Sequence, residues 1–96
     1  MSDKLKPSQL LRLGAEQVPQ CRCQYFQYEA GTDRVIAACA LGMMAIGKAG
    51  SLDFEACCTA AKEVVPQATR FMVAYFNDDC GWSPQQIARW LERNGL

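Results

Sequence analysis

The chain has no histidine among its 96 residues. That absence removes serine–histidine and cysteine–histidine nucleophilic pairs, and zinc sites of the mixed cysteine–histidine type. There is also no phosphate-cradling glycine loop, no dinucleotide fingerprint and no calcium loop. Net charge is missing too, because ten basic and ten acidic side chains cancel. A neutral chain has no general attraction for a phosphate backbone or anionic lipid, so nucleic-acid binding needs a locally basic face. The densest basic stretch is only Lys4-Leu5-Lys6. The longest apolar run, residues 35–47, is thirteen residues long. A bilayer crossing needs about twenty, and the shorter length marks a buried helix. The start, Met1-Ser2-Asp3-Lys4-Leu5-Lys6-Pro7, lacks the apolar core of a signal peptide. A cytoplasmic chain without membrane contact is expected.

What is present is the composition of a folded domain, half hydrophobic and about a fifth charged. At this length residues 1–96 make one globular domain, near the lower limit for a single core. Six cysteines (Cys21, Cys23, Cys39, Cys57, Cys58 and Cys80) are many for the length. Without an export signal they are expected to stay reduced. Cys39, Cys57 and Cys58 sit among alanines, where a thiol packs as a small hydrophobe.

A first helix is predicted from residue 7 or 8 to 17, with Pro7 suited to its first turn and Pro19 ending it. Leu10, Leu13, Gly14 and Gln17 share one face, with Leu11, Ala15 and Val18 beside it. Residues 23–28 are aromatic and imperfectly alternating, which suits a strand; 29–33 read as a turn and 34–37 as the returning strand. From about residue 38 to 47 the chain is apolar all round, hence a central helix. Ser51 or Asp53 caps the next helix, which runs to Val65 before Pro66 interrupts. Residues 67–78 form a further helix, with Ala68, Phe71, Met72, Tyr75 and Phe76 on one side, and Gly81 placed to terminate it. Ser83 caps the last helix, Pro84 takes its first position and Gln86 completes a capping box. Ile87, Trp90 and Leu91 then face inward while Arg89, Glu92 and Arg93 face water.

Few constellations carry chemistry. Cys21-Arg22-Cys23, Cys57-Cys58 and Cys80 together offer four thiolates to a metal, but neither C-x-C nor C-C is a zinc knuckle. Adjacent helical cysteines also point about 100° apart. No metal or cofactor is therefore predicted. Arg22 would favour the thiolate at its neighbours, which makes Cys21 and Cys23 the candidate reactive thiols. A helix dipole would do the same for Cys39, although no C-x-x-C is present. Asn77, Asp78 and Asp79 beside Trp82 read either as paired carboxylates or, preferably, as a turn at a helix end. Exposed aromatics and arginines are typical interface anchors, which singles out Trp82, Tyr25, Tyr28, Arg89 and Arg93 as candidate partner contacts. Most aromatic rings of so small a chain are needed in its core.

Three ordered segments stand out: Leu10-Leu11-Arg12-Leu13-Gly14-Ala15-Glu16-x-x-Pro19-Gln20, Ala38-Cys39-Ala40-Leu41-Gly42, and Asn77-Asp78-x-x-Gly81-Trp82-Ser83-x-x-x-Ile87-Ala88-x-Trp90-Leu91-Glu92. Together they resemble a group of small uncharacterised bacterial and bacteriophage proteins. The resemblance implies a small intracellular domain of helices around a hairpin, often phage-encoded, and assigns no catalytic or binding residue. The methionines after Gly42 and the cysteines Cys23, Cys57 and Cys58 depart from the pattern. A phage-type origin in turn implies proteins that block a host system by occupying a surface on it.

The fold expected is α+β, a small single domain of four to five short helices around a two-stranded antiparallel hairpin at residues 23–37. The function expected is a non-enzymatic protein–protein interaction module, a modulator or inhibitor of a host bacterial complex such as a defence system. It takes a protein partner rather than nucleic acid or membrane, and its oligomeric state is left open. The alternative is a DNA-binding regulator, because Ser83 to Leu91 reads as the first half of a helix-turn-helix, although no recognition helix follows before Leu96. A thiol redox or zinc-binding protein stands third.

Overall fold

In a computed structural model, which describes residues 5–96, the chain is α+β: helices surround one two-stranded antiparallel hairpin. In order it forms α1 (Pro7–Ala15), β1 (Phe26–Glu29), β2 (Arg34–Ala38), α2 (Ala40–Ala49), α3 (Phe54–Ala60) with a 3₁₀ turn at Ala61–Glu63, α4 (Gln67–Asp78) and α5 (Pro84–Arg93). Among the described residues, no helix is long and apolar enough to cross a membrane.

The core is built on α2, whose residues from Ala40 through Ile46 are all buried. An all-round apolar helix is stable only when covered on every side. Its start is held by the Cys39 sulfur, which accepts from the Gly42 N–H at 3.5 Å. Its end is set by Gly50 in the left-handed conformation, φ 66°. α1 crosses α2 at backbone contact, since a Cβ on Gly14 would run into the Met43 carbonyl and one on Gly47 into that of Leu10. Only glycine allows so close a crossing.

α5 packs against α1 through buried Ile87, Ala88 and Leu91. Its capping box forms as predicted, with Gln86 N–H donating to Ser83 Oγ at 3.2 Å and Ser83 N–H to Gln86 Oε1 at 2.8 Å. On the outside Arg12 reaches the Glu92 carboxylate from both Nε and Nη2, at 3.2 and 3.0 Å. Both partners are half exposed, so this pair orients α1 and α5 more than it stabilises them.

The hairpin pairs Phe26 with Ala38, Gln27 with Ala37, Tyr28 with Val35 and Glu29 with Arg34. The register shift leaves Ile36 as the extra residue, bulged to the outside, while Val35 and Ala37 point into the core. Strand pairing starts at Phe26 rather than at residue 23, because the preceding loop makes other bonds. Cys21 N–H donates to the Ala38 carbonyl at 2.9 Å, and Cys23 stands at positive φ. Further boundaries differ from expectation, among them the end of α2 at Ala49 rather than 47. α1 closes at Ala15, where the Gln17 N–H turns back to Gly14, and Leu13 and Gln17 are exposed while Ser8 is buried. α2 starts at Ala40, because Ala38 stays in the strand. The helix predicted up to Val65 ends at Ala60 and tightens into a 3₁₀ turn; Asp53, not Ser51, caps it, accepting from Ala56 N–H at 3.0 Å.

Candidate interaction surface

α4 spans residues 67–78 as predicted, and its last turn carries Asn77, a polar residue only 1% exposed. Asn77 Oδ1 accepts from Gln20 Nε2 at 2.8 Å and from Ala40 N–H at 2.9 Å. Its Nδ2 donates to the Cys21 carbonyl at 3.0 Å and to Asp78 Oδ1 at 2.8 Å. All four bonding positions of the amide are thereby used, which is what burial requires. Gln20 also donates to the Trp82 carbonyl at 2.9 Å, and Asp78 accepts from the strained Cys23 N–H at 2.8 Å. Asn77 and Asp78 close α4 and Asp79 caps it in the following turn, the helix end expected, but the Asn77 and Asp78 side chains bond other segments of the chain. They clasp the 20–23 loop, the start of α2 and the start of the last segment together. Residues of all three motifs singled out in the sequence, Gln20, Ala40, Asn77 and Asp78, converge here and hold the fold together.

Three of the six thiols, those of Cys21, Cys39 and Cys57, are buried in the fold. Cys21 is buried and donates weakly to the Gln24 carbonyl at 3.5 Å. Burial, with Asp78 nearby, pushes its thiol up. This is the reverse of the reactive thiolate expected beside Arg22, whose guanidinium lies over Gly81 instead. Cys39 does begin a helix, yet burial outweighs the bonds from Gly42 and Leu41 N–H and raises it to about 11. Cys57 is pushed up to about 11 as well, by burial and by Cys58 and Asp53. Cys23, the other candidate thiol, is exposed in the loop before β1. Among the described residues no three Cys, Asp or Glu side chains come together as a metal site.

The five candidate contact residues fall into two groups. Tyr25 and Tyr28 line an open groove of about 580 Å³ with Phe26, Phe54, Cys58 and Arg70 among its walls. Tyr28 stacks on Phe54 at 4.3 Å, and Tyr25 OH accepts from Arg70 Nη1 at 2.7 Å. Arg70 is further anchored on the Ala61 carbonyl at 2.8 Å, so the groove has a fixed α4 wall. Trp82, Arg89 and Arg93 come together with Gln86 in a smaller groove of about 220 Å³ along α5.

Sequence reasoning missed the outer face of α4. The residues expected on one side of that helix divide between core and solvent. Phe76 is buried, but Phe71, Met72 and Tyr75 are 68%, 41% and 52% exposed. With exposed Ala68 they stand at i, i+3, i+4 and i+7, a single apolar stripe. The inward face is instead Val73, Phe76 and Asn77. Apolar spacing was the available signal, and it marked the stripe without saying which way it turned. No protein-family model, curated protein or solved structure matches the chain.

Proposed function

We propose that this small α+β domain is a non-enzymatic protein-interaction module that docks through the outer face of α4. The observation that carries the reading is the exposed Phe71–Met72–Tyr75 stripe on a helix whose other face is fully packed. Scattered surface hydrophobics are ordinary, whereas a contiguous apolar stripe on a small chain favours a partner. The Tyr25–Tyr28–Phe54 groove adjoins it, since its α4 wall is made by Gln67 and Arg70. On the motif resemblance, the partner class is a host bacterial assembly and the module a phage- or prophage-encoded modulator of it.

The test is capture from a bacterial lysate by the native chain and by a Phe71→Ser/Tyr75→Ser variant, side by side. A discrete complex on the native chain, lost on the variant, is the expected result. Equal capture by both, or none by either, overturns the reading. Tight DNA binding with a steep salt slope would point to the regulator alternative instead.

A further inference from the structure

Gln86, Arg89 and Arg93 stand three and four residues apart on one face of α5, and Trp82, just before the helix, joins them in one groove. One face of the Trp82 indole is covered by Phe76, at 4.0 Å between ring centroids and nearly parallel. Its remaining surface lines the groove. Gln86 Oε1 is occupied by the Ser83 N–H, which leaves the amide nitrogen as the donor. The lining is thus two guanidiniums, an amide N–H donor and an indole, with no carboxylate.

This is an uneven use of charge in a neutral chain. Glu92, the acid of the same helix, is drawn to the other side by Arg12. Among the described residues Arg89 and Arg93 make no ion pair, whereas Arg12 and Arg70 are both engaged. Arg22 adds a third cation nearby, its Nη2 2.9 Å from where a Cβ on Gly81 would stand. The groove lies close to the Tyr75 end of the α4 stripe, across the buried Phe76 ring. Phe76 links the two, its ring 6.1 Å from that of Tyr75 and 4.0 Å from that of Trp82.

Size and charge decide the occupant. About 220 Å³ falls below the roughly 300–1,000 Å³ of small-molecule pockets, and seats protein side chains rather than a free ligand. A continuous phosphate backbone is held by a track of many cations, whereas only two guanidiniums line this groove. Isolated carboxylates suit paired guanidiniums, which bind them in a planar fork. Arg89 and Arg93 rise about 6 Å apart along the axis, within reach of two acids on one short segment. We infer that this groove seats an acidic segment of the protein partner, whose apolar side chains cover Phe71 and Tyr75 while its carboxylates meet Arg89 and Arg93. The inference rests on the interaction-module reading and specifies the partner's chemistry.

The experiment is selection of a random dodecapeptide display library on the native chain, followed by affinity measurement of the leading peptide. The enriched sequences are expected to combine apolar side chains with two or more Asp or Glu. The lead should bind an Arg89→Gln/Arg93→Gln variant about tenfold or more weakly and lose affinity as salt rises. Both arginines are exposed, and far-UV circular dichroism checks that the variant keeps its helices. Enrichment without acidic bias, or equal binding to the glutamine variant, overturns the groove assignment. If Phe71→Ser still weakens that lead, the interaction module stands without it; if neither variant matters, both readings fall. A library that enriches nothing overturns the assignment, as does an oligothymidylate that binds more tightly than the lead.

Discussion

The two faces of α4 invert the ordinary rule of burial. Inside, Asn77 is 1% exposed and makes four hydrogen bonds; outside, Phe71 is 68% exposed and is not part of the buried core cluster. An amide is put in the core only where each donor and acceptor has a partner, and an unpaired one is expensive. A bare phenyl ring on the surface contributes little to folding. The buried polar group therefore specifies the structure, and the exposed apolar one is free for recognition. The same division separates residues of the motifs from the α4 stripe, which lies outside them. Gly14, Gln20, Ala40, Gly42, Asn77 and Asp78 are accounted for by backbone fit and hydrogen bonding, while Phe71, Met72 and Tyr75 have no such role.

The sharpest way to break this comparison is Asn77→Leu. It removes the clasp and leaves the Ala40 N–H and Cys21 carbonyl buried without partners. A loss of about 3–5 kcal/mol is expected in urea unfolding. A loss under about 1 kcal/mol would mean that water replaces the amide and the clasp does not specify the fold. Next comes Gly14→Ala, which drives a methyl into the Met43 carbonyl across the α1–α2 crossing. Overpacking against backbone should cost about 3 kcal/mol. Gly31→Ala, with φ 94° and open space around it, separates that steric effect from the strain of a left-handed residue.

How much of this was legible beforehand depends on how local each determinant is. The α5 start was fully readable, because Ser83, Pro84 and Gln86 act within one turn of each other. α4 came out at its predicted bounds, set by Pro66 and the polar Asn77-Asp78 end. The strand start was not readable, because Cys21 and Cys23 are held by Ala38 and Asp78, partners far along the chain. Which way the α4 stripe turns was not readable for the same reason. Its apolar spacing grouped Phe71 and Tyr75 with Phe76 on one side, whereas the inward face is Val73, Phe76 and Asn77, whose amide reaches Gln20 and Ala40. Trp82, Arg89 and Arg93 were named individually, yet only the loop between α4 and α5 brings them into one groove.

The interior can also be probed by pH. Cys39 and Cys57 are raised from 9.0 to about 11 by burial. As pH climbs past 9.0 the unfolded chain releases these protons first, so the folded state loses ground. The stability is fully present below about pH 9 and is lost as pH rises toward 11. Each thiol should contribute about 2–3 kcal/mol to that loss, measured as falling urea midpoints. Replacing Cys39 by Ala should remove its share of the slope; an unchanged slope would show that other groups carry it. A smaller effect, about 1 kcal/mol, is expected for Ser83→Ala, which deletes the α5 cap.

The smallest stability effect carries the most about function. Phe71→Ser and Tyr75→Ser alter side chains more than half exposed, so thermal and urea midpoints should move by no more than about 0.5 kcal/mol. The neighbouring Cys80 pushes the Tyr75 phenol up, but an exposed contact of that kind adds little to stability. The same variants should abolish partner capture. A large drop in stability would place the stripe with the core and end the comparison drawn between the two faces of α4. A silent midpoint with lost capture separates recognition from folding on a single helix, with Asn77 assigned to one and Phe71 to the other.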